Sequence, residues 1–284
     1  GLVLEGFFYG RVDAGAADGE AADQQPEPGG DHDAGHQAEL RGQAEHLHRV
    51  PRDVGGGAEE GGLAERQQAG CYLNLGGTLV FLGKYEEAVT QTQQALALYK
   101  RFKGTEHDQA LCYKNIGLAL KELGKNQEAA AHYQLALKLF LSLRGNPREQ
   151  ADCFKYLGMT LHALGKGEEA AAQMRQALKL YAAIPHSEYD QAACCGHLSL
   201  ALSDLGKGEE AVEQMQKALI LYQTLQGTQR EQAVAHSNLG SALSDLEKYE
   251  ESLTEHRQAL TLFQALRNTE SEQAGCYNNL SGAY

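Results

Sequence analysis

Cysteine is the most reactive residue type in this 284-residue chain, and five of its six cysteines share one repeating position. A thiolate can attack carbon, bind zinc or form a disulfide. Neighbouring members of the set stand 41 residues apart, or twice that where Ala235 takes the position. Because alanine can take the place of cysteine at this position, the position is predicted to hold a small, buried packing residue. The set is Cys71, Cys112, Cys153, Cys194 and Cys276, and Cys195 is the sixth cysteine.

Distance excludes disulfides within this set if the positions lie on stacked helices. Packed helices are about 8–10 Å apart, whereas the Cα atoms of a disulfide lie within about 7 Å of each other. Free thiols in this number suit a reducing compartment, so we expect a cytoplasmic protein.

The sequence contains no residue pattern that is typical of a metal site or of a catalytic site. His32 and His36 are four residues apart, but the aspartate and glycine between them disfavour the helix that a metal site would need. Cys194, Cys195 and His197 cluster without the spacing of a tetrahedral ligand set. The sequence contains no phosphate-binding glycine loop and no G-x-S-x-G motif. We therefore expect no metal, no cofactor and no enzyme activity.

One position carries a hydrogen-bonding side chain in every repeat. Asparagine is a poor residue for a helix interior, so its return every 41 residues indicates a role beyond helix formation. An amide both donates and accepts hydrogen bonds, which suits either a partner's backbone or a ladder of bonds to neighbouring helices and water. The series is Asn74, Asn115, Tyr156, His197, Asn238 and Asn279.

A 41-residue repeat without insertions or deletions must position these side chains. Apolar stripes at i, i+4 and i+7 predict one helix from about Gln109 to Leu123 and a second from about Asn126 to Leu143 in repeat two. The same pattern returns in each unit. The Gln-Ala pairs that open the units stand at Gln68, Gln109, Gln150, Gln191, Gln232 and, for a truncated sixth unit, Gln273.

Glycines mark the helix ends, and a polar residue followed by an acid marks the starts. Gly124 and Gly145 follow the two helices of repeat two, where a left-handed residue is favourable. Thr105 with Asp108 resembles a capping box, in which the hydroxyl oxygen accepts a hydrogen bond from a backbone N–H. Repeat five departs from the pattern, because glutamate and asparagine replace its two glycines.

Charge and hydropathy exclude two classes of partner. The formal net charge of −13 disfavours nucleic acid, which requires a basic surface. No stretch approaches the roughly 18 apolar residues of a membrane span. We therefore expect neither nucleic acid nor a membrane as partner.

Small residues at three positions of each unit resemble the tetratricopeptide repeat family. Alanine or serine opens the second helix, and alanine returns seven residues later. The period of 41 exceeds the commoner 34 or so and is similar to the long-repeat class of kinesin light chains, Leu-Gly-Asn-repeat adaptors and nephrocystin-type proteins. The resemblance implies an all-α protein, an α-solenoid of antiparallel helix pairs over residues 68–284. The small residue of the first helix is Gly76, Gly117, Gly158, Ser199 and Gly240.

The resemblance also implies a concave groove that binds an extended or helical segment of another protein. In the family the position of the asparagine series faces this groove. Lys114 and Lys155 fall beside it, as do Leu118 and Met159, and the lysines would meet an acidic segment or a C-terminal carboxylate. We expect a protein–protein interaction scaffold. The nephrocystin-type resemblance leaves open a second function, the ligand-sensing arm of a larger nucleotide-switch protein.

Residues 1–67 differ in composition from the repeats. They are rich in Gly, Ala, Asp and Gln, and they contain no lysine and no helical stripe of useful length. The segment buries too little apolar surface to offset its chain entropy, which predicts disorder. A GC-rich stretch translated in the wrong frame would give the same composition. The abrupt end of the sixth unit indicates a fragment of a longer array.

Overall fold

The computed structural model describes residues 58–143 and 145–282, which form α-helices joined by short turns and contain no strand. The fold class predicted from the sequence is confirmed. In repeat two the predicted helix bounds agree with the observed ones within about three residues. The helices are α1 (Ala58–Phe81), α2 (Tyr85–Tyr99), α3 (Glu106–Glu122), α4 (Asn126–Ser142), α5 (Pro147–Ala163), α6 (Gly167–Tyr181), α7 (Glu188–Asp204), α8 (Gly208–Thr224), α9 (Gln229–Asp245), α10 (Tyr249–Ala265) and α11 (Glu270–Gly282).

Helix α1 begins at Ala58, before the first Gln-Ala pair. The last residues of the predicted segment 1–67 therefore belong to the first helix of repeat one. Arg101, in the turn after α2, holds this extension through an ion pair with Glu65 of 3.1 Å. The prediction of disorder for residues 1–57 lies outside the described residues, as do His32 and His36.

Each repeat is an antiparallel helix pair, and the pairs stack in chain order. The odd-numbered helices from α1 to α9 also contact the next odd-numbered helix, whereas no contact of that extent joins successive even-numbered helices within the described ranges. Stacked pairs that touch on one side and spread on the other curve toward the touching side. The first helices therefore line the inner side of the α-solenoid.

Left-handed residues end the helices, as the glycine pattern predicts. In repeat two Gly124 has φ +72°, and the N–H of Lys125 donates to the carbonyl of Leu120 at 2.9 Å, the Schellman arrangement. Repeat five retains this conformation without glycine, because Glu247 has φ +60° and Asn268 has φ +56°. The conformation is set by the tertiary position, and glycine only lowers its cost.

The polar residues stand directly before the helices, as predicted, but the hydrogen bonds predicted for the capping boxes are wrong. The hydroxyl of Thr105 caps no backbone N–H and is fully buried. It donates backwards to the carbonyl of Tyr99 at 2.7 Å, and the amide of Gln109 donates to it at 3.0 Å. This hydroxyl–glutamine joint links the end of one repeat to the start of the next. It recurs as Ser187–Gln191, Thr228–Gln232 and Thr269–Gln273.

The joint supplies a physical reason for the recurring Gln-Ala pair. Glutamine reaches the hydroxyl one helical turn before it, and the following alanine is buried in repeats one to five. The unit that begins at Gln150 lacks the hydroxyl because Asn146 replaces it, and there Gln150 donates directly to the carbonyl of Phe140 at 3.0 Å.

Small residues on the first helices allow the two helices of a repeat to approach closely. A Cβ built on Gly117 would lie 2.8 Å from a ring carbon of the fully buried Tyr133. Ser199 fits the equivalent place because its hydroxyl donates to the carbonyl of Ala211 at 2.7 Å. The small-residue pattern thus fixes the packing distance within each pair.

The cysteines behave as packing residues. All six are free thiols and five are buried, whereas Cys71 on the first helix is exposed. Burial raises the pKa of Cys112, Cys153 and Cys194 to about 12, so these thiols stay protonated and unreactive at neutral pH.

Candidate functional site

The first helices expose a narrow line of side chains along the inner side of the solenoid. Two positions one helical turn apart contribute to it: that of Asn115 and that of Leu118. Both residues are partly exposed, and their equivalents recur on each first helix. We call this line the inner stripe. It comprises Asn74, Gly77, Asn115, Leu118, Tyr156, Met159, His197, Leu200, Asn238, Ser241 and Asn279.

The four asparagines of the inner stripe are accessible. Asn74 and Asn279 are exposed, and Asn115 and Asn238 are half-buried. Among the described residues no hydrogen bond involves any of their side-chain amides. The ladder to neighbouring helices that the sequence left open is therefore not seen there. These amides retain their donors and acceptors for water or a partner.

Tyr156 takes the asparagine position in repeat three, and two neighbours hold its ring. The ring of Tyr133 stacks on it with centroids 5.8 Å apart and planes 15° apart. The ammonium of Lys155 lies 5.0 Å from its centroid, within the range of a cation–π contact. Tyr156 is thereby a half-buried side chain of restricted orientation.

His197 takes the same position in repeat four. Burial is the main cause that lowers its pKa well below the ordinary value, and the nearby Lys121, Lys155 and His162 lower it further. The imidazole is therefore neutral at neutral pH.

Lys114 and Lys155, which the family resemblance places beside the groove, are paired with carboxylates of this chain. The Lys155 ammonium lies 2.8 Å from Asp190, and Lys155 is only 9 % exposed. The Lys114 ammonium lies 3.7 Å from Asp152. Both carboxylates come from the first helix of the following repeat. A partner's carboxylate would have to displace these internal ones, and the role of the lysines in binding stays a prediction.

Asp152 is the centre of this charged cluster. Tyr181 donates to its carboxylate at 2.5 Å, and Lys114 contacts the other oxygen. Burial alone would raise the pKa of Asp152, but Lys114, Lys155 and the Tyr181 hydroxyl lower it below the ordinary value. The carboxylate is therefore ionised at neutral pH and joins repeats two and three.

Sequence reasoning did not find Asp152, Asp190 or Tyr181. The sequence does contain one indication of Asp152, because each of the remaining repeats has glycine, leucine, alanine or valine at this position. An acid in an otherwise uncharged position indicates a specific partner. Its identity was not readable, since Lys114 and Tyr181 lie 38 and 29 residues away along the chain.

Leu118 and Met159 occupy the second position of the inner stripe. Both are half-buried and pack against the hydrophobic core, as Tyr156 does. Leu200 follows them in repeat four and is also half-buried. The inner stripe thus presents mainly apolar surface and one imidazole, that of His197, in its middle, and amides toward both ends.

Clusters of three or more histidine, cysteine or acidic side chains that could hold a metal ion are absent from residues 58–143 and 145–282. Over the same ranges every helix is too short or too polar to span a bilayer.

Comparison with known proteins identifies the fold and the family. A tetratricopeptide repeat family profile matches residues 68–142 and 190–265, and a second profile of that family matches residues 133–225. No curated protein matches the chain.

Several solved structures share the fold. BtubC (BKLC) from P. vanneervenii is 21 % identical with a TM-score of 0.60, covering 70 % of this chain and 83 % of that chain. Kinesin light chain repeats from Podosopora anserina are 18 % identical with a TM-score of 0.60, covering 70 % of this chain and 95 % of that one. MamA is 15 % identical with a TM-score of 0.52 and covers 70 % and 93 %. With both family profiles together spanning residues 68–265, this chain belongs to the tetratricopeptide repeat family.

Proposed function

We propose that this chain is a scaffold that binds an extended segment of a partner protein along the inner stripe. The single observation that carries the proposal is the row of asparagine amides that no other side chain or backbone group of the described residues engages. A peptide backbone presents alternating N–H and C=O groups, and an amide side chain can satisfy both.

The spacing of the repeats suits an extended segment. Neighbouring first helices lie about 8–10 Å apart, and an extended chain advances about 3.3 Å per residue. One repeat therefore corresponds to about three residues of the partner. An amide at every repeat would contact the backbone of the partner at regular intervals, whatever its side chains are.

Half-burial strengthens each of these contacts. Asn115 and Asn238 are partly shielded from water, so a hydrogen bond made there competes less with solvent than one on an open surface. Replacing both by alanine removes up to four hydrogen bonds, each contributing about 0.5–1.5 kcal/mol. We expect at least about a tenfold loss of affinity from the double variant.

The test uses peptides selected from a random 12-residue display library on the wild-type protein, and their affinities are measured by fluorescence anisotropy. Asn115→Ala plus Asn238→Ala should weaken every selected peptide. The matched control, Gln134→Ala plus Gln176→Ala, removes two exposed amides from second helices and should leave the affinities unchanged. Equal affinity of the folded asparagine variant and the wild type would refute the proposal, as would selection of no peptide.

A further inference from the structure

The asparagine series is interrupted at two neighbouring repeats, and the interruption coincides with a second change. Tyr156 and His197 replace asparagine in repeats three and four. At the other position of the inner stripe, leucine or methionine occurs only in repeats two to four, whereas Gly77 and Ser241 stand in repeats one and five. In repeat three both positions therefore carry large, mainly apolar side chains, Tyr156 and Met159, and Leu118 and Leu200 extend this surface into the repeats on either side. We call Leu118, Tyr156, Met159 and Leu200 the apolar section.

The apolar section carries no charge that would select an acidic partner. Every lysine and arginine of helices α3, α5 and α7 has a carboxylate of this chain within 4.0 Å. Lys114 pairs with Asp152, Lys121 with Glu122, and both Arg148 and Lys155 pair with Asp190. His162 lies 2.8 Å from Asp204, and burial keeps the pKa of His197 low. The pairing of the lysines argues against the acidic segment that the family resemblance suggested.

Tyr156 is held in place before any partner binds. Tyr133 stacks on its ring, and Gly117 makes room for Tyr133. The Lys155 ammonium lies beside the same ring and is itself fixed by Asp190 at 2.8 Å. An aromatic side chain held in one orientation loses little conformational entropy on binding, so it contacts an apolar partner group favourably.

We infer that the partner segment carries a large apolar side chain that packs on the apolar section, and that Tyr156 determines this specificity. This inference rests on the proposed function and names the class of partner: an extended, locally uncharged segment with an aromatic or long aliphatic residue in its middle. Lys155 acts as a positioning residue, since it contacts Tyr156 and not the partner.

The repeat spacing sets the register of that segment. Asn115 and Asn238 are three repeats apart, which corresponds to about 24–30 Å and to about seven to nine residues of extended chain. Tyr156 is one repeat beyond Asn115. The apolar residue should therefore follow the backbone contact at Asn115 by about three residues in one direction of the partner chain.

The experiment compares three peptides that share one selected 12-residue sequence and differ only at the central position, as Phe, Ser or Glu. We expect the wild-type protein to bind the Phe peptide about tenfold more tightly than the Ser peptide and the Glu peptide most weakly. Tyr156→Asn, which restores the repeat pattern, should abolish the preference for Phe over Ser. Tyr156→Phe retains the ring and should retain the preference.

Two further variants keep the outcomes distinguishable. Met159→Ser lowers the preference through a different residue of the apolar section, which guards against misfolding of Tyr156→Asn. Asn115→Ala weakens the Phe, Ser and Glu peptides by similar factors. Preference of the wild type for the Glu peptide, or equal weakening of the Phe and Ser peptides by Tyr156→Asn, would overturn the inference and leave the proposed function standing. Failure of Asn115→Ala to weaken any peptide would instead count against the proposed function.

Discussion

Thr105→Val tests whether the hydroxyl–glutamine joint holds successive repeats together. Valine has the shape of threonine but lacks the hydroxyl, so the change adds no bulk to the fully buried site. It removes the bond from the hydroxyl to the carbonyl of Tyr99 at 2.7 Å, which the same hydroxyl shares with the carbonyl of Phe102 at 3.1 Å, and the bond from Gln109 to the hydroxyl at 3.0 Å. The carbonyl of Tyr99 still accepts from the N–H of Phe102 at 3.0 Å and is therefore not left without a donor.

The expected cost follows from these contacts. The shared donation of the hydroxyl counts as one hydrogen bond and the bond from Gln109 as a second. At about 0.5–1.5 kcal/mol each, they give a loss of about 2 kcal/mol in the free energy of unfolding. Thr90→Val is the matched control, because the exposed Thr90 hydroxyl donates only to the carbonyl of Glu86 in its own helix. That variant should change the free energy of unfolding by less than about 0.5 kcal/mol.

Urea unfolding followed by circular dichroism measures the global effect, and hydrogen exchange of peptides from α3 locates it. Exchange should rise at the start of α3 in Thr105→Val and stay at the wild-type level in Thr90→Val. Equal stability of the two variants would refute the view that the joint stabilises the repeat boundary. The reverse change is also informative: Asn146→Thr supplies the hydroxyl that the unit beginning at Gln150 lacks, and should stabilise the protein by about 1 kcal/mol.

Three further predictions concern backbone, packing and charge. Glu247→Gly should raise the free energy of unfolding by about 1 kcal/mol in urea titrations, because glycine adopts φ +60° without strain; an unchanged midpoint would contradict this. Gly117→Ala should lower the free energy of unfolding by about 1–3 kcal/mol, because the added Cβ overlaps with Tyr133. In the control Gly77→Ala the nearest atom to the added Cβ is 3.5 Å away, so thermal melts should show an equal or higher stability than that of the wild type. The pKa of Asp152 is lower in the folded state than in the unfolded state. Its contribution to stability is therefore complete above the unfolded pKa of about 3.9 and is lost as the pH falls through the folded pKa. The difference in free energy of unfolding between wild type and Asp152→Asn should shrink below about pH 4 and stay constant near pH 7.

The repeat period, helix bounds and small-residue positions were predictable because they depend on local pattern. Gly117 is required by the adjacent Tyr133, and a glycine faces a side chain of the second helix in the same way in repeats one, three and five. The left-handed glycines were readable for the same reason. Glu247 could not be predicted in this way, because the fold imposes a φ of +60° that glutamate does not prefer.

The direction of the hydrogen bonds at the helix starts was not predictable. A threonine followed three residues later by an acid fits a capping box and a buried joint equally well. The choice depends on where the preceding helix ends, because the carbonyl of Tyr99 arrives within 2.7 Å of the Thr105 hydroxyl. The charge state of the inner side was hidden in the same way: Lys155 is unremarkable in the sequence, and only the packing of α5 against α7 brings Asp190 to it.

The hydroxyl–glutamine joint also bears on how such a chain can change its length over generations. Four of the five boundaries between the described repeats use the same few atoms, so a block of 41 residues cut out or copied between two of them restores a boundary of the same kind. Recombination within the coding sequence can therefore add or delete whole units while every new interface is one that the protein already contains. The length of partner segment that the array can bind then changes in steps of about three residues. No new contact has to arise by point mutation.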